Sequence, residues 1–185
     1  IDQYDYSGYS VSSAGDINND GFDDIIIGAS YADPNGDLSG ESYVVFGKAT
    51  GYSTSLNLSD LDGAYGFVIN GIDAGDNSGF SVSSAGDINN DGFDDIIIGA
   101  PYADPNGSRS GASYVVFGKA AGYSASLDLF SSDGWSQSSL NGTNGFVING
   151  IDDNDSSGRS VSSAGDINND GYDDIIILAP NAEPN

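Results

Sequence analysis

The sequence predicts an all-β fold built from repeated four-stranded units, which is more typical of β-propeller blades than of a sandwich. Two observations lead to this prediction. One segment, GYSVSSAGDINNDGFDDIIIGA at residues 8–29, recurs with few changes at residues 79–100 and again from Gly158. Short apolar stretches also alternate with clusters of turn residues, and no useful length of chain shows a helical period.

Each complete unit is predicted to contain four strands. In the first unit these span approximately residues 9–14, 24–29, 42–46 and 66–72. The second strand contains three consecutive isoleucines, residues 25–27, and is expected to be buried on both faces. The third strand is rich in β-branched and aromatic residues, which favours extended structure.

The repeats predict the domain organisation. The chain begins and stops in the middle of the pattern, so we expect it to be part of a longer protein. The second unit is eight residues longer than the first, between Lys119 and Gly145, and this insertion indicates a tolerant surface loop. The predicted divisions are the end of a preceding blade at 1–7, complete blades at 8–72 and 73–151, and a partial blade at 152–185.

The composition excludes several classes of function. The net charge is −24, with 28 acidic and only four basic residues, so nucleic acid and anionic membrane would be repelled. The chain has no cysteine and no histidine, which excludes disulfides, thiol nucleophiles and imidazole-dependent catalysis. No apolar run approaches the ~18 residues of a spanning helix, so direct membrane insertion is not expected. We therefore expect a protein that is not an enzyme.

An aspartate-rich loop precedes the second predicted strand of each unit. Side-chain oxygens at positions 1, 3 and 5, a backbone carbonyl at position 7 and an acid at position 9 match the oxygen ligands that Ca²⁺ prefers, and glycine at position 6 permits the turn. The sequence therefore predicts about one Ca²⁺ per repeat, three in all. The predicted ligands are Asp16, Asn18, Asp20, Phe22 and Asp24; Asp87, Asn89, Asp91, Phe93 and Asp95; and Asp166, Asn168, Asp170, Tyr172 and Asp174.

Other interpretations of the loop are weaker. An EF-hand needs a bidentate acid at position 12 and flanking helices, but position 12 is Ile27, Ile98 or Ile177 inside a predicted strand. Mg²⁺ demands tighter octahedral geometry than such a loop offers. An Asx-rich turn without metal remains the alternative, although three copies at the same offsets make it less attractive.

Further acids recur outside these ligand positions. Those at position 8 are expected to face solvent or to cap the loop, and Asp33 and Asp104 are explained by Asp-Pro-Asn-Gly turns. The acids before each unit form either a second, weaker cation site or ordinary acidic turns. The position 8 acids are Asp23, Asp94 and Asp173, and the lead-in acids are Asp2, Asp5, Asp73, Asp76, Asp152 and Asp155.

These motifs resemble the FG-GAP repeats of integrin alpha-chain β-propellers, and most of all bacterial integrin-alpha-like surface proteins. Val45-Phe46-Gly47 and Val116-Phe117-Gly118 match the "FG" part, and Gly28-Ala29-Ser30 and Gly99-Ala100-Pro101 match the "GAP" part. The third copy has Leu178-Ala179-Pro180 in place of Gly-Ala-Pro. This departure affects the expected local packing and not the expected metal binding. The resemblance implies seven four-stranded blades in a ring, with calcium in the loops that join the first and second strands. This chain is too short to close such a ring alone.

The resulting expectation is a calcium-binding structural and adhesive module, secreted or on the cell surface and bacterial. Its expected partners are other copies or repeats of the same protein, with surface glycans or matrix proteins as further candidates. The alternative is a carbohydrate-binding propeller module, for which Trp135 and Tyr123 are the only hints. A hydrolase with paired aspartates is the weakest option, because each clustered carboxylate already has a metal role.

Overall fold

The computed structural model describes residues 4–51, 53–129 and 140–183. Regular structure in these residues consists of β-strands and one short 3-10 turn at Leu58–Asp60. The strands are β1 (Ser10–Gly15), β2 (Asp24–Ala29), β3 (Glu41–Val45), β4 (Gly66–Asn70), β5 (Ser81–Gly86), β6 (Asp95–Ala100), β7 (Ala112–Val116), β8 (Ser126–Asp128), β9 (Gly145–Asn149), β10 (Ser160–Gly165) and β11 (Asp174–Leu178).

The strands form three sheets that follow the sequence repeats. The first sheet has the order β1-β2-β3-β4-β8, the second β5-β6-β7-β9, and the third contains β10 and β11. Consecutive strands of one repeat are antiparallel, and the four strands predicted for the first unit match β1 to β4 within two residues. The all-β, four-stranded prediction is confirmed. The described residues form no closed ring.

Successive sheets are joined through their first strands. The strands β1, β5 and β10 lie side by side, with β5 in the middle. The amide of Val82 donates a 3.2 Å hydrogen bond to the Ser10 hydroxyl, and the amide of Val161 donates one of 3.1 Å to the Ser81 hydroxyl. The same contact therefore fixes both junctions, as expected where each repeat docks on the one before it.

Apolar side chains between the sheets form the cores. Ile26 of β2 and Ile96 and Ile98 of β6 belong to one cluster between the first and second sheets, and Ile97 belongs to another between the second and third. Alternate isoleucines thus face the preceding and the following sheet, because successive side chains on a strand point in opposite directions.

Burial on both faces, predicted for the isoleucine strand, is complete only in the second sheet, where residues 96–98 are all inaccessible. The prediction is wrong for Ile25, which is 49% exposed. The third sheet differs in the same way, since Ile176 is 61% exposed. In the part of the chain that the structure describes, no further sheet covers these two outer faces.

The connector of the second repeat reaches back to the first sheet. Its strand β8 pairs in parallel with β4, in the register Val68 with Ser126 and Asn70 with Asp128. The Asn70 side-chain amide donates a 2.8 Å hydrogen bond to Asp128 Oδ1. The region 119–145 is therefore more than the predicted surface loop, because part of it completes a neighbouring sheet. Residues 130–139, including Trp135, lie outside the described residues.

Candidate cation-binding loops

Each predicted metal loop connects the first two strands of a repeat, as the resemblance implied. We call residues 16–23 loop 1, residues 87–94 loop 2 and residues 166–173 loop 3. In all three repeats the strand register shifts by one residue just before the loop, for example between Ser13 and Gly15. This bulge bends the first strand and sets the direction in which the loop leaves the sheet.

Loop 1 is folded around its own acidic side chains. Asp16 accepts hydrogen bonds from the amide of Asp20 at Oδ1 (2.9 Å) and from the amide of Gly21 at Oδ2 (2.8 Å). The side-chain oxygen of Asn18 also accepts from the Asp20 amide (2.9 Å), and Asp20 Oδ1 accepts from the amide of Phe22 (3.0 Å). Gly21 has φ +91°, which glycine adopts without steric cost. The loop is a series of Asx turns.

Loops 2 and 3 repeat this arrangement. The first aspartate of each accepts from the amides at positions 5 and 6, the asparagine accepts from the amide at position 5, and the aspartate at position 5 accepts from the amide at position 7. These acceptors are Asp87, Asn89 and Asp91 in loop 2 and Asp166, Asn168 and Asp170 in loop 3.

The acid at position 9 is held beneath the loop. Asp24 is only 1% exposed, and its carboxylate accepts hydrogen bonds from the amide of Ile17 (3.0 Å) and from the amide of Gly47 (2.7 Å). Asp95 makes the same pair of contacts with Ile88 and Gly118. This acid therefore ties the loop to the glycine of the "FG" motif at the end of the third strand. The sequence predicted only a ligand role for it.

Burial raises the pKa of these two carboxyl groups. The pKa of Asp24 rises to about 6 and that of Asp95 to about 7, because both groups are removed from water. The backbone hydrogen bonds oppose this change, while the carboxylates at positions 5 and 1 of the same loop add to it. Burial therefore favours the protonated form of each of these two acids in the absence of a cation.

The donor chemistry of the loops fits a hard cation. Every predicted side-chain ligand is a carboxylate or amide oxygen, and each carboxylate oxygen retains a second acceptor site after accepting one amide. In the described residues, however, no three or more acidic side chains form a group that could hold a metal ion. The oxygens are directed at amides of the protein, so cation binding by these loops stays a prediction, as does the ligand role of the Phe22, Phe93 and Tyr172 carbonyls.

The acids at position 8 link each loop to the previous one. Asp94 Oδ2 accepts a 2.7 Å hydrogen bond from the amide of Asp16, and Asp173 Oδ2 accepts one of 2.9 Å from the amide of Asp87. Asp94 and Asp173 therefore cap a loop, but it is the loop of the preceding repeat and not, as the prediction had it, their own. The glycine before position 1 is the feature of the sequence that could have indicated this contact. A Cβ at Gly15 would lie 2.2 Å from Asp94 Oδ2, so a residue with a side chain would obstruct the approach of the aspartate.

The lead-in acids occupy turns. Asp76 and Asp155 are buried and accept hydrogen bonds from the amides of Asp73 (3.4 Å) and Asp152 (3.1 Å). Burial raises the pKa of Asp76 to about 6. Among the described lead-in residues, no three or more acidic side chains lie together in a way that could hold a metal ion. Asp2 lies outside the described residues. These contacts favour the acidic-turn interpretation.

The Asp-Pro-Asn-Gly segments are turns, as predicted. Asp33 Oδ1 accepts a 2.7 Å hydrogen bond from the amide of Leu38. In the second repeat Asp104 Oδ1 accepts from the amide of Arg109 in the same way.

Tyr123, one of two hints of a sugar site, has structural contacts. Its ring stacks on Phe67 at a centroid distance of 4.6 Å, and its hydroxyl donates a 2.9 Å hydrogen bond to the carbonyl of Ile17 in loop 1. The same hydroxyl accepts from the amide of Lys119 at 3.0 Å. Tyr123 therefore anchors the connector of the second repeat to the first loop.

Stacked antiparallel sheets with an aspartate-rich loop between their first two strands define this chain as a set of β-propeller blades. It belongs to the FG-GAP repeat family, whose profile matches residues 7–45, 78–116 and 157–185, more than half of the chain.

Among known proteins the chain is similar to integrin alpha subunits. It is 30% identical to integrin alpha-5 of Xenopus laevis over 95% of this chain, and 28% identical to integrin alpha-V of Gallus gallus over 94%. It is 36% identical to integrin alpha pat-2 of Caenorhabditis elegans over 63% of this chain. The chain spans only 14%, 15% and 10% of the lengths of these relatives, respectively. Within the described residues there is no helix that is long and apolar enough to cross a membrane.

Proposed function

We propose that this chain is a calcium-binding, non-catalytic repeat module that serves adhesion or structural assembly outside the cell. The observation that carries the proposal is the identical folding of loops 1, 2 and 3 around the same acidic positions, in a chain of the FG-GAP repeat family. Each loop carries aspartates at positions 1, 5 and 9, and a bound divalent cation would neutralise part of that negative charge.

To form a site in loop 1, the carboxylate oxygens that now accept backbone amides would have to turn toward a shared centre. Asp16 is already turned back over its loop by the amides of Asp20 and Gly21, so two acidic positions lie near each other before any cation binds. Asp24 approaches from below, where it also holds the Gly47 amide. A cation in the loop would therefore stabilise the contact between the loop and the end of the third strand.

An external location suits such loops. Extracellular calcium modules of comparable loop chemistry bind with dissociation constants of about 10⁻⁴–10⁻³ M, which matches calcium outside cells and not in cytosol. The similarity to integrin alpha subunits supports the same environment, and it supports an adhesive role in which the partner is a surface or matrix molecule.

Calorimetric titration with Ca²⁺ tests the metal proposal. We expect three sites per chain, a higher melting temperature in millimolar Ca²⁺, and a loss of both effects with chelator. Asp20→Ala, Asp91→Ala and Asp170→Ala should each remove one site. Asp37→Ala is the matched control, since it removes an equal charge from an exposed position outside the loops. Equal titration curves for all four variants, or no heat of binding at all, would contradict the proposal.

The carbohydrate-binding alternative has one observation in its favour. A cleft of about 390 Å³ between the first two repeats is lined by Tyr123, Asp128 and Asn144, among others. Phe67 stacks on the Tyr123 ring, and Lys119 Nζ lies 4.8 Å from the centroid of the same ring, so a sugar could stack there only if the lysine side chain moved away. A glycan array distinguishes the two functions, because specific binding that Tyr123→Ala abolishes and chelator leaves intact would favour the alternative.

A further inference from the structure

The position of Leu178 is occupied by glycine in the other two repeats. Leu178 pairs with Ser160 in the third sheet, just as Gly28 pairs with Ser10 and Gly99 with Ser81. The three residues therefore occupy one structural position at the end of the second strand.

Glycine at this position allows the next sheet to approach. A Cβ at Gly28 would lie 2.0 Å from the carbonyl oxygen of Gly79, and a Cβ at Gly99 would lie 2.0 Å from that of Gly158. Real Cβ atoms essentially never come within 3.0 Å of a heavy atom outside their own residue and its two chain neighbours. The obstructing atom belongs to the backbone, so a side-chain rotation cannot relieve the clash. Both junctions between sheets require a residue without a Cβ.

Leu178 lies on the face where the next sheet would dock. It is 50% exposed, and the neighbouring Ile176 lies on the same face because side chains two apart on a strand share a face. The equivalents of Ile176 in the other repeats are Ile26 and Ile97, both fully buried by the following sheet.

The chain carries both halves of the junction that joins its sheets. On the first sheet, Asp23 and Val11 are exposed, and they correspond to Asp94 and Val82, which contact the preceding repeat. On the third sheet, no atom of the described residues lies within 4 Å of the place where a Cβ of Gly165 would be, whereas the equivalent glycines meet an aspartate of the next repeat. Two copies could therefore join head to tail, and such a contact forms a ring if the rotation between copies closes and an open chain of copies if it does not.

We propose that Leu178 is a steric stop: it prevents the third sheet from accepting the first sheet of a second copy in the geometry that joins the three sheets of this chain. A copy docked in that way would place the carbonyl of its Gly8, the equivalent of Gly79, against the Leu178 side chain. Assembly with other copies must then use a different surface or a different geometry.

Disulfide trapping tests this proposal in a chain that has no cysteine of its own. Val11→Cys and Ser160→Cys place one thiol on each outer face, at positions equivalent to the contacting pair Val82 and Ser10. The two thiols cannot meet within one chain, since β5 separates β1 from β10. The double variant is compared with a triple variant that also carries Leu178→Gly. Ser10→Cys with Val82→Cys is the internal control, expected to form a disulfide within one chain.

We expect the triple variant to form a ladder of covalent dimers and higher oligomers under mild oxidation, at least about tenfold faster than the double variant. Equal ladders in both variants would overturn the proposal, because Leu178 would then not obstruct docking. It would also be overturned if neither variant formed a ladder while the internal control formed its disulfide. Light scattering of the cysteine-free Leu178→Gly chain provides a second readout, with a rise in mass at high protein concentration as the expected result.

Discussion

The carboxylate of Asp94 accepts a 2.7 Å hydrogen bond from the backbone amide of Asp16, which begins the candidate cation loop of the preceding repeat. Asp173 holds the amide of Asp87 in the same way. Each of these two loops is therefore completed by an acid from the next repeat, and its conformation depends on how the two sheets dock. Loop 3 has no such contact from the described residues.

Replacing Asp94 with alanine should weaken the first junction. Hydrogen bonds to charged groups contribute roughly 1.5–3 kcal/mol, so we expect Asp94→Ala to lower the free energy of unfolding by about 1–3 kcal/mol. Asp23→Ala is the control, because Asp23 occupies the same position in the first repeat and is exposed. Its substitution removes the same charge without removing a hydrogen bond between repeats. Urea denaturation without Ca²⁺ measures both. Equal midpoints for the two variants would show that the cross-repeat hydrogen bond contributes nothing.

Two glycines with similar backbone conformations should respond differently to alanine. Gly86 has φ +72° and Gly165 has φ +63°, so each substitution carries the strain of a left-handed conformation, about 1–2 kcal/mol. At Gly86 the new Cβ would also lie 2.1 Å from Asp173 Oδ2, whereas at Gly165 it would have no atom within 4 Å in the part of the chain that the structure describes. We therefore expect Gly86→Ala to lower the melting temperature more than Gly165→Ala.

A second substitution tests the cause of that difference. Asp173→Ala removes the obstructing carboxylate, so the cost of Gly86→Ala should be smaller when Asp173 is already alanine. Additive free energies in this double-mutant cycle would mean that the carboxylate is not the obstacle.

Asp76 should make the calcium-free protein less stable as the pH rises. Its pKa is about 6 in the folded chain, mainly because of burial, against 3.8 for the ordinary group. The folded state holds a proton between these values that the unfolded state has released. The stabilisation is therefore complete below about pH 4 and is lost as the pH passes 6.

Asp76→Asn removes this titration and keeps an oxygen for the Asp73 amide. Relative to the natural chain, we expect the variant to be more stable by about 1–2 kcal/mol at pH 7.5, and the difference should vanish near pH 4. Urea denaturation with chelator at several pH values measures it. A difference that is the same at every pH would rule out titration of Asp76 as its cause.

Tyr123→Phe should separate the hydroxyl from the ring. The hydroxyl bridges the Lys119 amide and the Ile17 carbonyl, while the ring packs on Phe67. Loss of the hydroxyl should cost about 1 kcal/mol in the free energy of unfolding, with the ring contact retained. Tyr65→Phe, at an exposed tyrosine, is the control and should have little effect. If Tyr123→Phe is as stable as its control, the hydroxyl is not an anchor.

The repeated pattern was enough to predict the strands and the loops. Three copies of one motif placed Asp16, Asp87 and Asp166 at equivalent sites, and the alternation of apolar and turn residues gave the strand order within a repeat. These features depend on local sequence, namely turn chemistry and the side-chain period of a strand.

Contacts between repeats could not be predicted in the same way. Asp94 and Asp23 lie in nearly identical sequence, yet Asp94 caps a neighbouring loop and Asp23 is exposed. The burial of Ile96 and the exposure of Ile25 differ for the same reason. In each pair the local sequence is the same, and the presence of a preceding sheet decides the outcome.

The parallel pairing of β8 with β4 has a consequence for how the chain is made and divided. The first sheet receives its fifth strand only after residues 126–128 have left the ribosome, by which time β5, β6 and β7 of the next repeat are already synthesised. A truncation at residue 72 would respect the sequence repeat but would leave the edge of β4 bare, open to pairing with other chains. The smallest piece that keeps the first sheet whole therefore extends to Leu129.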